Sequence, residues 1–285
     1  MAMKEKRNKQ LEIDDKKYLW HPFTQMQAYA TETPPIIEEG YGCILKDIEG
    51  NEYLDGVSSL WTNVHGHRRS EIDQAVKKQL DLIAHSTLLG LSSVPAINLA
   101  KKLIEIAPRG LTKVFYSDSG STAVEIALKI AFQYHQQSPA GDPAKKKFIS
   151  FVNAYHGDTI GSVSVGGIDL FHQMYRPMLF DSFKAESCYC YRCAFGKSYP
   201  GCDMPCLANL EEIMKEHAGE VCALVIEPLV QGAAGILVQP PGYLKRVRDL
   251  CTRYGVFMIA DEVAVGFGKT GKMFACEHEG VVPDI

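Results

Sequence analysis

Residues 256–263 read VFMIADEV, an apolar, β-rich run that stops abruptly at two acids. Its near-continuous apolar character suits a strand covered on both faces, as in a parallel sheet. Just upstream, Leu244, Val247, Cys251 and Tyr254 recur at helical spacing, with Pro241 near the start of the stripe and Gly255 just past its end. That is the asymmetry expected of helix termini. Similar strand-like runs occur at Val221 to Ile226, Lys147 to Val152 and Lys113 to Tyr116. A further helical stripe, Ala96, Ala100, Leu103, Ile104 and Ala107, precedes them. Buried strands alternating with helices predict an α/β fold, a mixed, mostly parallel sheet with helices on both faces. Before about Ser70 the pattern changes: residues 40–55, GYGCILKDIEGNEYLD, read as a hairpin turning at Glu49, Gly50 and Asn51. A small N-terminal subdomain over residues 1–69 is therefore expected to lead into a larger domain over 70–285.

The chain has 285 residues, 46% hydrophobic and 22% charged, enough to bury one large core or two unequal ones, which excludes disordered and fibrous classes. A formal charge of -4 leaves no basic footprint for nucleic acid. The one basic run, Lys4 to Lys9, reads as a frayed polar end. No apolar stretch reaches the roughly 18 residues of a membrane span, and the first residues lack a signal-peptide core, so a cytoplasmic protein without a membrane partner is expected.

Nine cysteines are many for such a chain, and five fall within a loop over residues 187–206: Cys188, Cys190, Cys193, Cys202 and Cys206. Three readings stay open. Cys190, Cys193, Cys202 and Cys206, with Cys188 outside, have a spacing that suits tetrahedral zinc, although the gap between the pairs is shorter than in common zinc ribbons. The five are otherwise free thiols on an inserted loop, or disulfide partners.

Four segments carry candidate chemistry. Residues 114–125, VFYSDSGSTAVE, end a strand in a small polar turn before an apolar helix. Free N–H groups there suit a phosphate, Gly120 permits close approach, and the hydroxyls of Ser119 and Ser121 can donate to its oxygens. Ordinary N-capping is the plain alternative. Asp261 ends a strand where α/β sheets place ligands, and suits a cationic partner such as a pyridinium nitrogen; Glu262 caps or pairs locally. Residues 153–159, NAYHGDT, bring Tyr155 to stack on a planar group and Asp158 to hold it or meet an amine, while His156 reads as a satisfied turn residue. Glu227 and Pro228 end another strand, followed by the Gly-rich bend QGAAGIL at 231–237.

In this order, Ser119-Gly-Ser, the YHGD of 155–158, Glu227-Pro228 and the IADEVAVGFGKTG of 259–271 resemble the class III, fold-type I aminotransferases across essentially the whole chain. The LWHPFTQM of 19–26 and SSLWTNVHGH of 58–67 resemble those members that form 7,8-diaminononanoate in biotin biosynthesis. The resemblance implies pyridoxal 5'-phosphate as cofactor, with Gly120 and Ser121 on its phosphate, Tyr155 on its ring and Asp261 on the pyridine nitrogen. It assigns Leu60, Trp61, Tyr155 and Asp158 to the substrate side, 7-keto-8-aminopelargonate as acceptor and a homodimer as the assembly. Members that use S-adenosylmethionine as amino donor carry Tyr at the position of Phe23 and Trp at that of Leu60. Leu60 offers a sulfonium no aromatic face, so lysine becomes the alternative donor.

In the family the lysine that carries the cofactor follows the Pro-Asp-Ile stretch, and here Pro283, Asp284 and Ile285 are the last residues. Lys269 and Lys272 match the Gly-rich loop instead. The resemblance thus leads one to expect a truncated chain, without its C-terminal part and inactive by itself, and later strands seated between Lys113–Tyr116 and Val256–Ala260. A non-catalytic remnant and another ω-aminotransferase are the rival readings.

Overall fold

The computed structural model describes residues 2–285. Its contacts divide the chain into two units, one ending at Leu91 and the other spanning Ser92–Ile285, so the dividing line lies beyond the 69/70 boundary read from the pattern.

The first unit begins with helix α1 (Ala2–Tyr18) and the short α2 (Met26–Tyr29), followed by strands β1 (Ile37–Tyr41), β2 (Ile44–Asp47) and β3 (Glu52–Leu54) in one antiparallel sheet. A short turn of helix type, α3 (Ser58–Trp61), and helix α4 (Ser70–Leu80) complete it. The basic run expected to fray is instead part of α1. Asn8, 2% exposed, donates its side-chain amide to Ile48 O at 2.9 Å and Glu49 at 2.8 Å, which ties the helix down. The expected hairpin is β2 and β3, paired from Ile44↔Leu54 to Lys46↔Glu52. Asp47 organises its turn by accepting from the N–H groups of Glu49 at 3.0 Å and Asn51 at 2.8 Å, the Asn51 amide at 2.9 Å and the Tyr53 hydroxyl at 2.8 Å.

The second unit runs α5 (Val94–Ile106), α6 (Gly120–Gln137), β4 (Lys147–Phe151), α7 (Ile160–Val165), α8 (Asp169–His172), β5 (Phe183–Ala185), α9 (Pro205–His217) and β6 (Val221–Ile226). The ribbon β7 (Val230–Gln231) and β8 (Leu237–Val238) precedes α10 (Tyr243–Tyr254) and β9 (Phe257–Ala260). Its main sheet has the order β5-β4-β6-β9, and every pairing in it is parallel. Alternate residues of the strands enter two cores. Ile149, Phe151, Leu224, Ile226 and Met258 pack with Leu210 and Met214 of α9 and Leu244, Val247 and Cys251 of α10. Phe148, Val225 and Ile259 face Val124, Leu128 and Ala131 of α6. All six residues of β6 are buried, as a continuous apolar strand requires when helices cover both faces. The half-buried residues of α5 include Ala96, Ala100, Leu103 and Ile104, members of the stripe read from sequence. Gly255 ends α10 in the left-handed conformation, φ 62°, its N–H turned back to Cys251 O and Thr252 O.

One expected strand is not formed. Residues 113–116 carry no helix or strand, and Phe115 is 66% exposed. A strand exists through its ladder, and among the described residues no strand pairs with this one. The free side of β9 meets the chain's last residues instead: Ile285 N donates to Met258 O and Ala260 N to Ile285 O, the alternation of a parallel ladder. Among the described residues no helix is long and apolar enough to cross a membrane.

Candidate active site

Because β4, β6 and β9 are parallel, the loops that leave their C-terminal ends gather at one sheet edge, where such folds bind ligands. Helix α6 starts there too. A Cβ built on Gly120 would come within 3.0 Å of Val263, and one on Gly157 (φ +118°) within 2.4 Å of Ser121. The turn at 119–121, the loop at 153–159 and the strand end at 261–263 are thus in direct contact, and glycine is what lets them approach so closely.

The start of α6 is not arranged as its hydroxyls suggested. Ser119 is the N-cap in a capping box: its Oγ accepts from Thr122 N at 3.2 Å, and Thr122 Oγ1 accepts from Ser119 N at 3.0 Å. Ser121 Oγ accepts from Thr159 N at 3.0 Å and lies 2.8 Å from Thr159 Oγ1, which itself donates to Glu125 at 2.6 Å. The chain of donors therefore ends on Glu125, and the Ser121 proton is spent on Thr159. Among the described residues no acceptor meets the backbone N–H groups of Gly120 and Ser121. Two open N–H groups at the positive end of an 18-residue helix are an anion site in waiting.

Asp261 is anchored by its N–H to Ile226 O at 2.8 Å and by its side chain to His156 Nδ1 at 2.8 Å, with Val263 N on the other carboxylate oxygen at 3.2 Å. The His156 and Asp261 side chains are 0% and 7% exposed. His156 was expected only to satisfy its turn; it holds the strand-end carboxylate instead, and its Nε2 is buried without a partner among the described residues. Tyr155 donates its hydroxyl to Asp158 at 2.7 Å, and its ring lies nearly parallel to His172 at 6.3 Å. Burial and then the bond to Asp158 push the Tyr155 hydroxyl well above its ordinary pKa.

Two carboxylates have roles that the sequence did not assign: its pattern marks Glu227 only as a strand end, and Glu125 not at all. Glu227, 6% exposed, accepts from Tyr155 N at 3.0 Å and Gly232 N at 2.8 Å, fastening the loop after β4 to the bend after β6. Burial raises its pKa, Asp261 adds to the rise, and His156 with the two N–H groups opposes it. Glu125 accepts from Thr159 and from Gly161 N, both at 2.6 Å, and backs the helix start from behind. An acid inside an apolar helix, four residues past Ser121, was the signal available for it. Glu262 does act locally, accepting from Ala275 N at 2.6 Å and Cys276 N at 2.9 Å.

Leu60 and Trp61 belong to the first unit, in α3. Ser58, Ser59, Leu60 and Trp61 all have positive φ, from 47° to 72°, so the segment is a left-handed turn. Non-glycine residues avoid that region, and runs of them concentrate where backbone strain serves a site. Asp55 braces it, accepting from Ser59 N and Ser59 Oγ, each at 2.9 Å, and from His67 Nε2 at 2.8 Å. Leu60 is 69% exposed.

The cysteine loop departs from the zinc geometry. Cys190, Cys193, Cys202 and Cys206 line one cavity of about 20 Å³, but Cys188, expected outside, lines it as well, with its sulfur 3.4 Å from that of Cys206. All five are free thiols. Among the described residues no group of three His, Cys, Asp or Glu side chains is placed to hold a metal ion.

Comparison with known proteins gives the family of the chain. The aminotransferase class-III family profile matches residues 26–285. The adenosylmethionine-8-amino-7-oxononanoate aminotransferase of Nitratidesulfovibrio vulgaris is 62% identical over 271 residues, 95% of this chain and 50% of that protein. The crystal structure of the enzyme of that name from Methanocaldococcus jannaschii superimposes with a TM-score of 0.88 at 47% identity, covering 95% of this chain and 59% of that one. An amine transaminase from an uncultivated Pseudomonas species, solved in its PLP-bound form, superimposes with a TM-score of 0.88 at 36% identity, covering 94% and 60%. The chain thus spans half to three fifths of the length of these relatives. The parallel sheet, the helix start that faces its edge and the profile match together show that this chain belongs to the class III aminotransferases.

Proposed function

We propose that the protein containing this chain is a pyridoxal-phosphate-dependent aminotransferase that converts 8-amino-7-oxononanoate (7-keto-8-aminopelargonate) to 7,8-diaminononanoate in biotin biosynthesis. The observation that carries the reading is Asp261, a carboxylate fixed by His156 at 2.8 Å at the same sheet edge as the open N–H groups of Gly120 and Ser121, where Val263 packs against Gly120. These residues fit the cofactor. The helix start would hold the phosphate through the Gly120 and Ser121 backbone N–H groups, Asp261 would pair with the pyridine nitrogen, and Tyr155 would contact the ring. When bound, the cofactor supplies an electron sink for the bond-breaking steps at the amine carbon. The chain's own contribution is electrostatic and positional. Asp261 would keep a proton on the pyridine nitrogen, because a carboxylate there favours a cation beside it. Glu227 and Glu125 hold the two loops that shape the pocket, and Tyr155 with Asp158 faces the substrate.

Leu60 and Trp61 are the substrate-side residues of this reading. An aliphatic Leu60 gives a sulfonium no aromatic face, so lysine is the donor we expect, with S-adenosylmethionine, the group named in the relatives, as the alternative. The assembly we expect is a cytoplasmic homodimer, which light scattering on the whole protein measures. The whole protein, supplied with pyridoxal phosphate, 8-amino-7-oxononanoate and each donor in turn, is expected to form diaminononanoate. Turnover of ornithine or γ-aminobutyrate without diaminononanoate would reject the substrate. Independently of activity, Asp261→Asn is expected to weaken cofactor retention on dialysis, read by absorbance; unchanged retention would count against the assigned role.

A further inference from the structure

We propose that Cys188 and Cys206 form a peroxide-oxidisable dithiol whose disulfide closes the loop over residues 187–206 onto helix α9. The two sulfurs lie 3.4 Å apart, about 1.4 Å beyond bonding distance, so a small side-chain adjustment joins them. Both residues are buried, at 7% and 6% exposure, which holds the pair together and keeps bulky thiols away. Cys190, Cys193 and Cys202 line the same cavity but are less buried, and they are the competing partners.

The two thiols are unequal. Cys206 is the second residue of α9, a 13-residue helix whose first N–H groups favour an anion. Its pKa is held down first by the hydrogen bond with Cys188, then by the backbone N–H groups of Leu207 and of Cys206 itself, and burial opposes them. Cys188 is pushed up by the same contact and by burial. Cys206 is therefore the nucleophile and Cys188 the resolving thiol. A cavity of about 20 Å³ beside two buried thiols favours a small oxidant such as hydrogen peroxide over a bulky tripeptide disulfide.

In the first step the Cys206 thiolate attacks one peroxide oxygen. The O–O bond breaks, Cys206 becomes a sulfenic acid, and the departing hydroxide takes up the proton that Cys206 had released, giving water. The Cys188 sulfur then attacks the Cys206 sulfur, the S–O bond breaks, and the leaving hydroxide takes the Cys188 proton as a second water. Two thiols lose two electrons, and one peroxide becomes two waters.

The test is made on the unmutated 285-residue chain, so a variant that fails to fold does not remove it. After exposure to hydrogen peroxide, remaining thiols are alkylated and the tryptic digest is read by tandem mass spectrometry. The expected product joins the peptide of residues 185–192 to that of 198–215 with loss of two hydrogens, and fragment ions place the link at Cys188 and Cys206. Cys190→Ser and Cys202→Ser are expected to keep the link and Cys188→Ser to lose it. Glutathione disulfide, supplied in equal amount, is expected to oxidise the pair more slowly than peroxide. A link between any other two cysteines, recovery of Cys188 and Cys206 alkylated while other thiols oxidise, faster reaction with glutathione disulfide, or purification with one zinc per chain and all five thiols protected would each overturn the proposal.

Discussion

At the residue scale, the site rests on close-packed glycines and on buried polar groups that hold one another in place. Gly157 holds φ +118° with Ser121 2.4 Å from where a Cβ would stand. Gly157→Ala meets both the strained backbone, about 1–3 kcal/mol, and the displaced Ser121 hydroxyl that Thr159 depends on. A lower urea midpoint with an unchanged slope checks this, and an unchanged midpoint refutes it. Asp47 gives a prediction with a definite sign. Its carboxyl is lowered from 3.8 to about 2, first by the Asn51 side chain and also by the Tyr53 hydroxyl and backbone N–H groups, while burial opposes them. A depressed folded pKa stabilises above the unfolded value and is lost as pH falls through the folded one. The melting-temperature gap between the unmutated chain and Asp47→Asn is thus expected to be full above about pH 4 and to close toward pH 2. A gap independent of pH across that window would remove Asp47 from the account.

At the element scale, strands deliver loops and carboxylates join them. Glu227 leaves the end of β6 and accepts from the backbone of the loop after β4 and of the bend around β7. Glu227→Ala orphans the Tyr155 and Gly232 N–H groups, and each orphan costs about 1–3 kcal/mol if water does not reach it. Faster hydrogen exchange at these two amides, together with lost stability, is the expected result. Loss of stability without faster exchange there would mean that Glu227 acts through packing alone. His156 and Asp261 show the same logic across the sheet: residues 105 positions apart in sequence meet because β4 and β9 flank β6 and end at one edge.

At the scale of the whole molecule, the 285 residues include the sheet edge proposed to hold the cofactor, and Lys272 donates to Glu277 O at 2.9 Å in its own loop. Assayed as this polypeptide alone, the chain is expected to transfer no amino group from any donor and to retain no cofactor at a single lysine after borohydride reduction; detected diaminononanoate would reject this. The periodicity of the sequence was enough for the strands at 147–151, 221–226 and 257–260, for α5 and α10 and for the β2–β3 hairpin, because local patterns of 2.0 and 3.6 residues report burial directly. It also marked Gly120, Tyr155, Asp158 and Asp261 as candidates, since strand ends and glycine turns are local features; their roles are part of the proposed function. It misread residues 113–116 because a strand needs a ladder partner, and a one-dimensional pattern records apolar character without recording who pairs. It missed Glu125 and the roles of Glu227 and His156 for a related reason: each acts on a backbone N–H or a carboxylate 36 to 105 residues away. What the sequence by itself determined was which segments form most of the strands and helices and which strand ends carry candidate residues; only the tertiary structure decided which hydroxyls were already spent, which N–H groups stayed open and which cysteines touch, because hydrogen-bond satisfaction is a property of groups brought together by packing and not of neighbours along the chain.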